Sequence, residues 1–291
     1  MQFLYYYAIL IAKGVISLQD FSLTHYNAEE FRYRCSDTSN YSLDISTHTH
    51  EGWEFLFVKN GSLSYTVDGM VFDIKPNTLI ISRPGAVHAL KPRGVIHYER
   101  YSFDVAEHIL NQDLLEAIPA DLHVLDVSDN GLILSLYKKI GFYLSKLEGL
   151  ALKNMIRSII DELLVNVYLV SKAPSQPMAT YSNPIVTRAI IYIKNHIRQP
   201  LTVQEVSDAL FITPSHLHHC FVKHLDVTPK QYIMLQKLQM CQQALINTAN
   251  PTMICQHYGF KSYSTFYRNY QKFYGCRPSD DSRPTLRKIE L

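Results

Sequence analysis

Hydrophobic and polar positions change their period along this chain of 291 residues. Between residues 21 and 105, short runs rich in β-branched and aromatic residues alternate with turn residues, which predicts strands. Glu54–Val58 stops at Asn60-Gly61, and Leu63–Val67 stops at Asp68-Gly69. Val71–Ile74 stops at Lys75-Pro76-Asn77, Leu79–Ser82 stops at Pro84-Gly85, and Val95–Phe103 closes the set. Asp-Gly between two alternating runs specifies a tight hairpin, because both residues tolerate positive φ. Strands so closely spaced predict a small antiparallel barrel or sandwich.

From about residue 105 to 170 the period becomes helical. Leu132, Leu134, Leu136, Ile140, Leu144 and Leu147 form one stripe, and Leu152, Ile156, Ile159, Ile160, Leu163, Leu164 and Val167 form another. Two amphipathic helices need a surface to cover: the barrel, a second subunit, or both. Ser171–Pro184 holds Pro174, Pro177 and Pro184 among small polar residues and reads as a linker. Everything after it reads as helical.

The last hundred residues contain an internal repeat. At an offset of 49, Leu217 meets Phe266, His219 meets Arg268, Phe221 meets Tyr270, Lys223 meets Lys272, Leu225 meets Tyr274 and Pro229 meets Pro278. Each copy reads as a short helix, a turn and a longer helix. In the first, Thr202 caps Val203–Leu210 with Glu205 completing a capping box, and Pro214 opens the longer helix. In the second, Asn250 precedes the short helix Pro251–Tyr258, Gly259 ends it, and Ser262 caps the next. Lys230–Thr248 joins the copies as one helix, with Ile233, Leu238, Cys241 and Leu245 toward the core. This is the helix-turn-helix layout, whose second helix fits the major groove and reads base edges from its outer face. Two copies on one connecting helix suit two successive major grooves.

Charge at first speaks against nucleic acid, because the net formal charge is only +2. The average hides a split: residues 181–291 carry 13 Lys and Arg against 6 Asp and Glu, whereas residues 1–180 carry 15 against 20. An acidic module joined to one that binds polyanions is the implied arrangement. The five cysteines, Cys35, Cys220, Cys241, Cys255 and Cys276, lack CxxC spacing and read as reduced thiols. The apolar run Phe3–Ala12 is shorter than the ~20 residues a membrane span needs, and Met1-Gln2 lacks the basic start of a secretory signal. That run reads as a strand or ordered arm, and the chain as cytoplasmic with no membrane partner.

Arg188 to about Pro278 resembles the AraC/XylS family of bacterial transcription regulators. The likeness rests on Ala189-Ile190-Ile191-Tyr192-Ile193 before Pro200-Leu201-Thr202-Val203, then Pro214-Ser215-His216-Leu217 with Phe221, and Thr228-Pro229-Lys230-Gln231-Tyr232-Ile233. It continues through Lys237-Leu238 with Ala244-Leu245, Ile254 with Gly259-Phe260-Lys261-Ser262, Phe266-Tyr267-Arg268, and Gly275 with Pro278. The sequence departs from the family at Lys237, where Arg is usual, at Cys255, where Ala is usual, at Asp281-Ser282, and at His218-His219, where Ser-Arg is common. The last departure removes any assumed Arg-to-guanine contact at His219. The resemblance implies DNA contacts from Pro214, Ser215, His216, His218, His219 and Lys223 in the first copy. In the second it implies Lys261, Ser262, Tyr263, Thr265, Tyr267, Arg268 and Lys272. It also implies activation through contact with RNA polymerase, with repression as the alternative.

His48-Thr49-His50, Glu54 and Gly61 stand in an H-x-H-x3-E-x6-G spacing similar to the first motif of the cupin barrels, and Pro84-Gly85-Ala86-Val87-His88 resembles the second. In metal-bearing cupins the matching residues, here His48, His50, Glu54 and His88, hold one metal, and such a donor set suits Zn, Fe, Mn or Ni. Three readings stand side by side: a metal site, a wall of a small-molecule pocket, and structural polar pairing. An effector pocket is expected to draw on His48, His50, Trp53, Glu54, Tyr65, Arg83, His88 and Tyr98, and such a set suits a sugar. Trp53 reads equally as a core residue. No cofactor is expected.

The expected fold is multidomain α+β. An N-terminal antiparallel cupin-like β-barrel (1–125) is followed by a helical dimerisation segment (126–172) and a linker (173–184). An all-α DNA-binding domain with two helix-turn-helix motifs (185–283) and a tail (284–291) complete it. The function this supports is a DNA-binding transcription regulator, an activator and not an enzyme, acting as a homodimer under a small-molecule effector. A metal-dependent cupin-type enzyme with an attached helical domain is the alternative, and a regulator without any effector is a third reading.

Overall fold

The computed structural model describes residues 21–27, 30–41, 45–93, 96–172, 180–181, 183–247, 250–281 and 288–290. The Phe3–Ala12 run lies outside them, as do residues 173–179 of the linker.

The N-terminal half is built from two antiparallel six-stranded sheets. The first orders β1 (Phe21–Asn27), β2 (Phe31–Tyr41), β9 (Ile96–Val105), β4 (Trp53–Asn60), β7 (Thr78–Ser82) and β10 (Val124–Asp126). The second orders β11 (Thr180–Tyr181), β6 (Met70–Ile74), β5 (Leu63–Val67), β8 (His88–Pro92), β3 (Ile45–His50) and β12 (Lys288–Glu290). The Asp68-Gly69 hairpin forms as expected: Val67 pairs with Met70, and φ values of 44° and 79° at the two turn residues give the type I′ geometry. Two of the twelve strands among the described residues, β11 and β12, come from segments expected to be a linker and a tail. They occupy the two edges of the second sheet and so cover backbone groups that an open edge would expose.

Alternation along the strands creates two cores. Leu56, Val58, Leu63, Tyr65, Val67, Phe72, Ile74, Ile80, Leu90 and Tyr98 fill the space between the sheets. Trp53, Phe55, Phe57, Leu79, Ile81, Tyr101 and Phe103 face out of the first sheet and are covered by helices. These are α1 (Gln112–Glu116), α2 (Gly131–Leu144) and α3 (Gly149–Ser171). All seven expected apolar positions of α3 are buried. In α2, Leu136 and Ile140 are buried, but Leu132 is 55% exposed because it sits on the turn that points away from the sheet. Tyr137 fastens α2 to the sheet by donating to the Phe55 carbonyl at 3.0 Å, while Tyr33 donates to the Tyr137 carbonyl at 3.1 Å.

The C-terminal half has a separate core. It comprises α4 (Pro184–His196), α5 (Val203–Ala209), α6 (Pro214–Leu225), α7 (Pro229–Asn247), α8 (Pro251–His257) and α9 (Tyr263–Tyr274). The Thr202–Glu205 capping box is present, and Asn183, Thr213, Asn250 and Ser262 cap α4, α6, α8 and α9 through their side chains. Ile233, Leu238, Cys241 and Leu245 of α7 are buried. Lys237, also on α7, is 5% exposed and donates to the carbonyls of Gln199 at 2.6 Å and Tyr258 at 3.1 Å, binding the ends of two other helices to the central one.

Candidate functional site

The inward face of the sheets gathers His48 and His50 from β3, Glu54 from β4 and His88 from β8, all fully buried, with candidate ligand atoms within 4.8 Å of one another. Period-two alternation places His48 and His50 on one face of β3, and the β3–β8 register sets His48 opposite His88. Nε2 of His50 and of His88 stand 3.4 Å and 3.3 Å from Glu54 Oε2. His88 Nδ1 lies 2.9 Å from the Ala86 carbonyl, which leaves Nε2 as the nitrogen turned to the carboxylate. Burial lowers the pKa of His50 and favours its neutral form. Burial also disfavours the Glu54 charge, but the two imidazoles facing it prevail and hold the carboxyl well below the usual range.

The cluster continues into polar residues that sequence reasoning did not select. Ser82 donates to Glu54 at 3.3 Å and lies 3.0 Å from the Tyr65 hydroxyl. Asp104, fully buried opposite Glu54 on β9, pairs with Arg32 at 3.0 Å and Arg34 at 2.9 Å, and Arg34 reaches to 3.9 Å from Glu54. The available signal was the alternation Arg32-x-Arg34 on β2, with two basic residues on the inward side of a strand.

Two expected effector contacts are corrected. Trp53 precedes Glu54 on the same strand and therefore points to the opposite face, where it stacks on Phe55 at 6.1 Å in the helix-covered core. Arg83 lies 5.2 Å over the Trp53 ring and donates to the carbonyls of Leu122 at 2.7 Å and Pro119 at 2.6 Å, so it holds a loop in place. Tyr65 and Tyr98 do face the interior.

Three imidazoles and a carboxylate converging in a buried space match the donor set of a divalent transition metal. His50 Nε2 and His88 Nε2 both turn toward Glu54 Oε2, so two imidazole nitrogens and a carboxylate oxygen converge as a ligand set would. The expectation of no cofactor thus sits beside a tetrad that fits one.

In the C-terminal half the repeat becomes geometry. Helices α6 and α9 are each 12 residues long. Their caps Thr213 and Ser262 and their left-handed terminators Asp226 and Gly275 keep the 49-residue offset found in the sequence. Leu217, Phe221 and Leu225 of α6 and Phe266, Tyr270 and Tyr274 of α9 are buried. Ser215, His216, His218, His219 and Lys223 are exposed on the first helix, as are Tyr263, Arg268 and Lys272 on the second, with Lys261 and Ser262 just before it. Pro214, Thr265 and Tyr267 are half-buried. The first turn carries Phe211, 92% exposed at φ 57°, where the second carries Gly259 at φ 69°.

Residues 206–283 match the helix-turn-helix domain family, and residues 42–95 match the cupin domain family. Among curated proteins, the XylDLEGF operon transcriptional activator of Pseudomonas putida is 27% identical over 119 residues, 40% of this chain and 37% of that protein. The chain thus spans little more than a third of that relative's length. The uncharacterized HTH-type transcriptional regulator YdiP of Escherichia coli is 20% identical over 261 residues, 87% of this chain and 85% of that one. Among solved structures, ToxT from Vibrio cholerae is 11% identical with a TM-score of 0.36, covering 86% of this chain and 96% of that one. The chain carries an AraC-type helix-turn-helix domain behind an N-terminal cupin domain. The curated proteins it is similar to are named as operon activators and transcriptional regulators.

Proposed function

We propose that the chain is a transcription activator in which the polar interior of the barrel binds a small-molecule effector while α6 and α9 read two successive major grooves of duplex DNA. The observation that carries the DNA reading is the pair of 12-residue helices, matched cap for cap, with apolar faces inward and His, Lys and Arg outward. Selection of bound sequences from a random duplex pool tests it: the full chain should enrich two half-sites about one DNA turn apart, and a pool that stays random refutes it.

The effector is a small polar molecule, a sugar among the candidates, taken up by His48, His50, Glu54, Tyr65, His88 and Tyr98 with Arg32, Arg34 and Asp104 beside them. Thermal-shift screening with sugars and polar metabolites checks this, because a ligand of the folded state raises its melting temperature. A divalent metal held by His48, His50, Glu54 and His88 would polarise an oxygen of that molecule when bound. Metal analysis of the purified chain, and its loss in His50→Ala, tests the tetrad. Residues Leu132, Phe142, Leu150, Val165 and Leu169 leave an exposed apolar surface on α2 and α3, and a second copy of the chain is its proposed partner. Phe142→Glu should then convert a dimer to a monomer in sedimentation. Contact with RNA polymerase is the route to activation.

A further inference from the structure

Each histidine of the buried cluster is next in sequence to a residue that touches the DNA-binding domain. Thr47 donates to Asp226, the terminator of α6, at 3.2 Å, and Thr49 accepts from Gln239 of α7 at 3.3 Å. These two threonines alternate with His48 and His50 along β3. In the turn just before β8, Val87 precedes His88 and packs in the hydrophobic core of the DNA-binding domain, while the Gly85 carbonyl accepts from Gln236 at 3.0 Å. Beside them the Asp68-Gly69 turn acts as an anchor. The buried Asp68 carboxylate accepts from Lys194 of α4 at 2.6 Å and from Tyr232 of α7 at 3.0 Å, and Gly69 closes on Val186.

The outer edge of β3 is taken by the C-terminal strand. Lys288 pairs with His50, Ile289 with Thr49 and Glu290 with His48. One strand therefore carries ligand-facing histidines on its inner face, the DNA-binding domain on its outer face and the end of the chain along its edge. Side chains packed on both faces make such a strand shift as a unit, so a change at the cluster reaches the other two surfaces. The outward residues of α6 and α9 stay exposed in the docked arrangement, so docking sets the orientation of the DNA-binding domain and leaves its reading faces open.

We propose that β3 is the joint through which the state of the His48/His50/Glu54/His88 cluster sets how the DNA-binding domain is held, with the C-terminal strand β12 as its clasp. The proposal rests on the reading of the barrel as the sensing module. It assigns the tail an active part in the response.

The test uses the full chain and two perturbations of the cluster that do not touch β3 from outside: addition of Zn2+ alone, and the Glu54→Gln variant, with melting curves to establish that the variant is folded. Hydrogen exchange is read at residues 288–290, and affinity for a labelled duplex is read by anisotropy. Both perturbations should change exchange at 288–290, and duplex affinity should shift about fivefold, within the usual range of coupling between sites. In Asp68→Asn, which keeps a hairpin dipeptide of the same turn type, and in a chain lacking residues 284–291, the shift should fall to less than about twofold while Zn2+ still binds. Unchanged exchange at 288–290 under both perturbations, or a shift retained in both variants, overturns the joint. A chain that binds no duplex refutes the DNA reading instead, and the exchange at 288–290 still decides the joint.

Discussion

Salt dependence of DNA binding counts the phosphate contacts of the reading helices. Four of the proposed contact residues on or beside α6 and α9 are exposed cations: Lys223, Lys261, Arg268 and Lys272. If each neutralises one phosphate, log K falls against log salt with a slope of about −3.6 for one chain on B-DNA, and twice that for a dimer on two sites. A fourfold rise in salt then costs about 150-fold in affinity per chain. Lys223→Ala should reduce the slope to about −2.7, and the same rise in salt should cost about 40-fold. Anisotropy titrations of the full chain on a labelled duplex at several salt concentrations measure both slopes. A native slope shallower than about −1, or an Lys223→Ala slope equal to the native one, refutes the assignment of these helices to the phosphates.

Arg268→Ala should weaken binding to the selected site and relax its base preference by about 1–3 kcal/mol, and unchanged affinity and preference would remove Arg268 from the contact set. Burial pushes the His123 imidazole down from 6.5 to about 4. The unfolded chain therefore binds the extra proton in that window, and stability complete above pH 6.5 is lost as pH falls toward 4. At about pH 5 the loss is about 2 kcal/mol, and in urea unfolding His123→Leu should reduce the difference in unfolding free energy between about pH 8 and pH 5 by that amount. Phe211→Gly should stabilise the DNA-binding domain by about 1 kcal/mol in urea unfolding, because a bulky residue is held at positive φ with almost no apolar contact to lose. A destabilised variant contradicts the strain. Lys237→Met strands the carbonyls of Gln199 and Tyr258 and should cost about 1–3 kcal/mol, whereas Lys237→Arg keeps donors in reach and should cost less.

What was legible in the sequence was whatever is encoded locally. Asp68-Gly69 specifies its turn within two residues, Thr202 and Glu205 specify a cap within four, and the 49-residue repeat gives both reading helices with their buried and exposed faces. The resemblance to the two cupin motifs names all four cluster members, His48, His50, Glu54 and His88, and alternation along β3 puts His48 and His50 on one face. The same rule, applied to Trp53, excludes it from the cluster, since neighbours on a strand face opposite ways; pocket chemistry favoured the ring, but the register decides. The Arg32-x-Arg34 alternation signals two basic residues on one strand face, but their shared partner Asp104 was not legible, because it depends on β2 and β9 pairing across about 70 residues. Nor were β11 and β12, which are too short to show a period and exist because a sheet edge is available.

The charge split takes on a second meaning in the folded chain. The acidic half and the basic half do not merely coexist: Asp68 of the barrel holds Lys194 of the DNA-binding domain, and Lys91 of the barrel faces Asp226 at 3.6 Å. These two pairs differ in how salt acts on them. The Lys91–Asp226 side chains are 50% and 59% exposed and contribute little, and that little is screened. The Asp68 side chain is 5% exposed and receives two further hydrogen bonds, so the anchor persists where surface pairs fade. If α6 and α9 make the proposed contacts, a salt titration on DNA should report their phosphates with the domains still docked. Loss of the anchor in Asp68→Asn changes the coupling to the cluster while leaving every charged residue of α6 and α9 in place, and it frees the Lys194 cation of α4.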